Sequence, residues 1–256
     1  MIVITTPNGT IGHQVLANVV DSGQPVRVFA RDPLRLSPQV RKSIEIVEGS
    51  HGDRDVVEQA FEDADSVFWL VPPNPRAQSF ESYYVDFMRP TCDAFRSQGV
   101  RRAVGVSAPG RGWPRNAGLV SASLAMDDLI ASVGVSYRAL AFPSFMDNLL
   151  RQVEPIGSQG MFFSPISGDR KVPTCATRDI ATAAAKLLLD RSWSGTGSVP
   201  VLGPEDLSCN DMAHIMSEVL KNEGVDNSEP RTREATTPSS FREWREESVE
   251  AGSPAR

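Results

Sequence analysis

The chain is short of every feature that would tie its activity to a metal, a disulfide framework or a membrane. Among 256 residues there are three cysteines, Cys92, Cys175 and Cys209, far apart and without a Cys-x-x-Cys pair. An odd count at such spacing argues against a disulfide framework and against a zinc site. It reads instead as reduced thiols in a cytoplasmic protein. The three histidines, His13, His51 and His214, share no metal-ligand spacing, so no metal is expected. No apolar run approaches the roughly 20 residues needed to span a bilayer. The first residues already read as a strand rather than a leader, so no membrane association is expected. Positive charge is not in excess either: 26 Lys and Arg stand against 32 Asp and Glu, a net charge of -6. The arginines between positions 96 and 115 are spread over a helix end, a strand and a loop. Nucleic acid is therefore not expected as a partner.

What is present is a strand–turn–helix rhythm. Apolar runs at 2–5, 26–30, 44–47, 66–70, 103–106 and 137–142 predict strands. Helical spacing predicts helices over 11–22, 53–63, 79–98 and 119–133, with Gly23 stopping the first. Strands alternating with helices imply parallel crossovers. The predicted fold class is α/β, a Rossmann-like doubly wound parallel sheet, over residues 1–143. Phe80, Tyr83, Tyr84, Phe87 and Met88 form an aromatic stripe at helical spacing, which reads as core or as a homodimer face.

After Pro143 the rhythm breaks into short segments rich in Gly and Pro. A helix over 178–190, a strand over 199–202 and a helix over 209–220 follow. Residues 144–221 are expected to form a small C-terminal lobe for the substrate, set on the strand ends. Residues 222–256 are rich in Glu, Arg, Ser, Thr and Pro. Such a composition cannot bury enough surface to offset its ordering entropy, so a disordered polar tail is expected. Docking of Phe241 and Trp244 as an isolated turn is the less favoured alternative.

The chemistry is expected at the first turn, Thr6-Pro7-Asn8-Gly9-Thr10-Ile11-Gly12. A pyrophosphate binds free backbone N–H groups at a helix N-terminus, and glycines let the backbone approach it and let the helix pack on the sheet. Thr6 stands where the first glycine of the usual fingerprint would be. At the end of the second predicted strand, Arg31 suits a 2′-phosphate, so NADP is favoured. Asp32 beside it would either serve NAD or cap the next helix at Pro33. His51 follows the third strand near where adenine would lie. It is either a stacking or hydrogen-bonding partner there or a plain loop histidine.

With these residues in place, the chain resembles the NmrA-like group of atypical short-chain dehydrogenases/reductases from Met1 to about Leu220. The matching stretches are residues 5–12, 26–33, 104–108 (Val-Gly-Val-Ser-Ala), 143–149 (Pro-Ser-Phe-Met-Asp-Asn-Leu) and 178–181 (Arg-Asp-Ile-Ala). The resemblance implies that Gly9, Thr10, Ile11 and Gly12 hold the pyrophosphate and that Arg31 meets the 2′-phosphate. It implies that Val71 and Pro72 line the ribose and nicotinamide and that Ser107, a candidate catalytic residue, faces the nicotinamide. Phe145, Met146 and Asn148 would line the substrate pocket. The chain departs from ordinary short-chain dehydrogenases in lacking their Tyr-x-x-x-Lys pair: none of Tyr83, Tyr84 and Tyr137 has a lysine four residues on. The helix that would carry the pair has no acid or base from Val120 until Asp127.

The function the resemblance implies is an NAD(P)H-dependent reductase of a small conjugated or aromatic carbonyl or quinone, in secondary metabolism of the polyketide kind. Two rivals are an NADP-binding redox sensor without turnover and a non-redox enzyme on a polyketide.

Overall fold

The structure is a computed structural model that describes residues 1–72, 74–220 and 239–244. It divides into two compact units, residues 1–141 with 181–199, and residues 142–180 with 200–256.

The first unit is a seven-stranded sheet. Its strands are β1 (Ile2–Ile4), β2 (Val26–Ala30), β3 (Glu45–Glu48), β4 (Ser66–Trp69), β5 (Arg102–Ser107), β6 (Ser136–Ala141) and β9 (Thr196–Pro200). They lie in the order β3-β2-β1-β4-β5-β6-β9, and β1 to β6 pair in parallel. The crossovers are α1 (Gly12–Val20), α2 (Pro38–Ser43), α3 (Arg54–Phe61), α4 (Phe80–Ser97) and α5 (Leu119–Ala131). The order reverses between β1 and β4. That is the doubly wound topology whose ligand crevice lies beyond the carboxyl ends of the strands at the reversal.

The elements form for local reasons. In α1 the residues Val15, Leu16 and Val19 recur at helical spacing and are all buried. Gly23, at φ 73°, then takes the left-handed conformation that lets the chain leave the helix and enter β2. Ser79 caps α4 by accepting from the backbone of Ser82. One face of the sheet is covered by α3, α4 and α5 around a core that includes Phe61, Trp69, Met88, Phe95, Met126 and Ile130. Phe61 and Phe95 stack with centroids 5.3 Å apart. Met88 lies in that core and Tyr83, Tyr84 and Phe87 pack against it, whereas Phe80 at the start of the stripe is exposed.

The second unit has its own three-stranded sheet, β10 (Asp206–Leu207), β8 (Val172–Cys175) and β7 (Ser144–Phe145). It also holds α6 (Val153–Gln159) and α8 (Cys209–Val219). Ser208 and Asp211 cap α8 reciprocally, as the sequence spacing predicts. Two expectations about the lobe need correction. The helix expected within it, α7 (Thr177–Leu189), continues into the first unit from Ala181, and β9 joins the seven-stranded sheet. Within the stretch expected to be a disordered tail, residues 239–244 are packed. Phe241 is fully buried and Trp244 nearly so, in a core with Met146, Ala176, Leu207, Met212 and Met216. Ser239 donates to Asp179 at 2.8 Å and accepts from Arg178 Nε at 2.6 Å. Average composition hid this because two aromatic side chains suffice to anchor a short helix in a polar stretch. Residues 221–238 and 245–256 lie outside the described residues.

Candidate functional site

The first unit gathers its candidate residues at one edge of the sheet, because each follows the carboxyl end of a parallel strand. The turn 5–12 follows β1, Arg31 follows β2, residues 70–72 follow β4, and Ser107 ends β5. The turn after β1 and residues 70–72 after β4 flank the strand reversal.

The turn is held by its own backbone and by β4. The Thr5 amide donates to the Phe68 carbonyl, and Thr5 Oγ1 accepts from the Leu70 amide at 2.9 Å. Thr6 sits at φ 50°, a left-handed conformation that costs a β-branched residue strain. The geometry of the missing glycine is therefore kept even though the residue is not glycine. The Gly9 amide closes back on the Thr6 carbonyl at 2.9 Å. Gly12 opens α1 so close to the turn after β1 that a Cβ there would lie 2.1 Å from the Thr6 carbonyl oxygen. Its hydrogen therefore serves first the packing of helix on turn, and only through that the approach of a ligand. At Gly9 the nearest atom to a Cβ is that same oxygen, at 3.3 Å.

This cradle fits a dinucleotide pyrophosphate. The amides of Thr10, Ile11 and Gly12 have no intramolecular acceptor among the described residues. They belong to the first turn of a helix, where the macrodipole favours an anion. Thr6 Oγ1 is buried and also without a partner among them.

At the end of β2 the two charged side chains take different places. Asp32 turns its carboxylate back to cap the 3-10 turn Pro33–Arg35, accepting from the Leu34 amide at 3.1 Å. Arg31 is exposed and has no ion-pair partner among the described residues. The cation is free and the anion is occupied.

Three candidates are placed differently from the expectation. His51 is buried, not presented to an adenine: its Nε2 lies 3.0 Å from the Leu70 carbonyl oxygen. Its ring meets Trp69 and Phe87 edge-on at 5.2 and 5.0 Å. Burial, reinforced by the nearby Arg31 charge and only partly offset by the Leu70 hydrogen bond, lowers its pKa to about 4. The ring is neutral and braces the end of β4. Val71 is part of the hydrophobic core, so only its backbone is offered to a ligand. Pro72 is half-buried and its carbonyl accepts from the Tyr83 hydroxyl at 3.0 Å. Met146 belongs to the core of the second unit, 1% exposed, and is not a pocket wall. Of its two companions, Asn148 is exposed, and Phe145 is half-buried against Phe142, ring centroids 5.1 Å apart.

Ser107 has partners that the sequence reading missed. Its Oγ donates to Asp127 Oδ2 at 2.5 Å, and the Tyr137 hydroxyl donates to Asp127 Oδ1 at 2.6 Å. Asp127 sits on α5 and Tyr137 on β6, and all three side chains are buried. At the outer end Arg111 lies 3.7 Å from Asp127 and binds Asp128 at 2.7 Å. Desolvation raises the Asp127 pKa against the lowering effects of Ser107, Tyr137 and Arg111. The signal was present in the sequence. Asp127 falls on the same helical face as Ala122, Ser123, Met126 and Ile130, where an acid is out of place unless it is partnered.

Comparison with known proteins agrees with this fold. A family model described as NAD(P)H-binding matches residues 7–191. The chain is similar to the (4-alkanoyl-5-oxo-2,5-dihydrofuran-3-yl)methyl phosphate reductase of Streptomyces griseus. The two are 28% identical over 221 residues, which cover 86% of this chain and 74% of that protein. It is 24% identical to the NAD(P)H azoreductase of Xenophilus azovorans over 85% of this chain and 73% of that one. In fold it resembles the NADPH-dependent quinone oxidoreductase of Escherichia coli solved with NADPH. The TM-score is 0.74 at 18% identity, over 86% of this chain and 76% of that one. A dinucleotide turn at the strand reversal and a match that runs from that turn through α7 lead to one assignment: the chain belongs to the NAD(P)H-binding family, in the NmrA-like group of atypical short-chain dehydrogenases/reductases.

Proposed function

We propose that the protein is an NADPH-dependent reductase of a small conjugated or aromatic carbonyl compound, with quinones as the leading substrate class. When bound, the nicotinamide supplies a hydride. The amides of Thr10, Ile11 and Gly12 bind the pyrophosphate, and Arg31 binds the 2′-phosphate with charge-assisted hydrogen bonds. The observation that carries the cofactor preference is the pair at the end of β2: Arg31 has no ion-pair partner among the described residues, while Asp32 is committed to the Leu34 amide. An acidic side chain facing the ribose would favour NADH instead. Ser107, at the end of β5 in the same edge of the sheet, is the hydroxyl that meets the substrate's carbonyl oxygen.

The substrate class draws support from the relatives, whose names describe reductases of an oxo-dihydrofuran phosphate, of azo compounds and of quinones. Each is an acceptor conjugated at the bond that takes hydride. The Tyr-x-x-x-Lys pair is absent, so the proton must reach the reduced carbonyl by another route. A place in polyketide metabolism is a narrower form of the same reading. The test is NADPH oxidation followed with a panel of quinones, enones and azo dyes, beside a calorimetric titration of NADPH. Turnover with at least one class is expected. Tight NADPH binding with no turnover on any of them would refute the reductase reading and leave a sensor.

A further inference from the structure

We propose that Asp127 is the proton store of the reduction, reloading Ser107 each time Ser107 gives its proton to the substrate. The inference rests on the reductase reading above and adds to it the source of the proton.

The cluster is more elaborate than a strand end requires. A serine in that place can satisfy the backbone alone, yet Ser107 Oγ reaches a carboxylate on another element. That carboxylate is 4% exposed and, among the described residues, has no cation in direct hydrogen-bond contact, since the closest Arg111 nitrogen is 3.7 Å away. The neighbouring strand gives way to the arrangement as well. A Cβ at Gly105 would lie 2.1 Å from the Tyr137 hydroxyl, so only a glycine in β5 lets the phenol reach Asp127. Several positions thus converge on holding one carboxyl group against one serine hydroxyl.

The same heavy-atom geometry serves both protonation states. With Asp127 ionised, Ser107 and Tyr137 both donate to it. With Asp127 protonated on Oδ2, the carboxyl O–H donates to Ser107 Oγ, and the serine's own hydrogen is free to turn toward a substrate. Hydride addition leaves the carbonyl oxygen of the substrate short of one proton. The Ser107 O–H bond breaks as the new O–H bond on the substrate forms. The Asp127 O–H bond breaks as the Ser107 O–H bond is restored. Asp127 then recovers its proton from water. In sum, one hydride and one proton are consumed for each substrate reduced, and the protein returns to its starting state.

The groups facing Asp127 set when it holds a proton. Burial favours the neutral acid, and Asp128 beside it on α5 acts in the same direction. Ser107 of β5, Tyr137 of β6 and Arg111 in the loop after β5 favour the ionised form. On α4, the Cys92 thiol, which faces Tyr137, is pushed up to about 12 and stays neutral. Tyr137 is itself held well above the usual phenol range by burial and by Asp127, so it donates a hydrogen bond without titrating.

The experiment compares wild type with Asp127→Asn, Tyr137→Phe and Arg111→Gln. In wild type kcat should fall on an alkaline limb as Asp127 loses its proton. Asp127→Asn should lower kcat by roughly a hundredfold, the scale of a lost acid–base group. It should abolish the limb and leave the KM for NADPH unchanged. Tyr137→Phe and Arg111→Gln each remove a group that favours ionisation, so each should move the limb to higher pH, an effect that a purely structural role would not produce. Arg111 is a half-exposed surface side chain, so its variant keeps the test available if Asp127→Asn does not fold. Independently of turnover, infrared difference titration of the cofactor-free protein should show a protonated-carboxyl band persisting above the range in which ordinary carboxylates ionise. The band should be absent from Asp127→Asn. A missing band, or a limb unmoved in Arg111→Gln and Tyr137→Phe while turnover persists, overturns the proton store and leaves the reductase reading standing. No turnover with any acceptor overturns both.

Discussion

Truncating Phe241 tests whether the stretch beyond α8 is part of the folded protein. The ring is fully buried, its centroid 5.5 Å from that of Trp244, among Met146, Ala176, Leu207, Met212 and Met216. Phe→Ala at a fully buried site removes the transfer free energy of the ring and leaves a cavity, together about 3–5 kcal/mol. That is a large share of the roughly 5–15 kcal/mol that stabilises a typical domain. For a chain of this size each kcal/mol moves the melting temperature by about 2–4 °C, so Phe241→Ala should lower it by roughly 6–20 °C. The second unit has its own core, so the loss should fall on it and can split one calorimetric transition into two. Deleting residues 221–256 should do at least as much, since it also removes Trp244 and the hydroxyl of Ser239 that satisfies the buried Asp179. Differential scanning calorimetry of the two variants decides the matter. A fall of less than ~2 °C in both would mean that the aromatic pair contributes nothing to the core, and that the polar composition of the stretch describes its behaviour after all.

Three further outcomes are expected. Arg31→Ala should weaken NADPH by about tenfold to a hundredfold, the equivalent of one charge-assisted hydrogen bond, and leave NADH nearly unchanged. Calorimetric titration of both cofactors checks this, and equal losses would place the guanidinium elsewhere. Gly12→Ala should lower the melting temperature as well as NADPH affinity, because its Cβ meets the Thr6 carbonyl oxygen at 2.1 Å, whereas Gly9→Ala, with 3.3 Å to the same atom, should melt near wild type. His51 should make the protein acid-sensitive: with a folded pKa of about 4 against 6.5 unfolded, the unfolded state takes up the proton first as pH falls. Its contribution is therefore intact above about pH 6.5 and lost progressively toward pH 4, by roughly 3 kcal/mol in all. Urea midpoints at pH 7 and 4.5 should fall less for His51→Phe than for wild type.

The legible part of the molecule was the part carried by local chemistry. Six strands and four of the five helices between them could be read from apolar period, and the tight glycine turn from the placement of Gly9 and Gly12 between β1 and α1. The capping of α8 by Ser208 and Asp211 followed from spacing alone. Each of these depends on residues within a few positions of one another, whose backbone preferences the sequence states directly. Arg31 was legible as a cation at a strand end, but not as a free one, since the competing role of Asp32 depends on which way one carboxylate turns.

What only the tertiary structure decided involves residues far apart in sequence. Burial turned His51 from a candidate adenine contact into a neutral brace among Trp69, Phe87 and Phe29, and made Met146 core. It drew Phe241 back onto Met212 and Met216 from a stretch that looked too polar to fold. It joined Ser107, Asp127 and Tyr137 from β5, α5 and β6 into one hydrogen-bonded group, with Gly105 making the room. The sequence by itself determined the Rossmann order of elements and the turn proposed to take the dinucleotide, because period and turn chemistry act over a handful of residues. The partners of each buried polar group were decided by the packed fold, because the cost of leaving such a group unpaired is set by neighbours that chain order does not reveal.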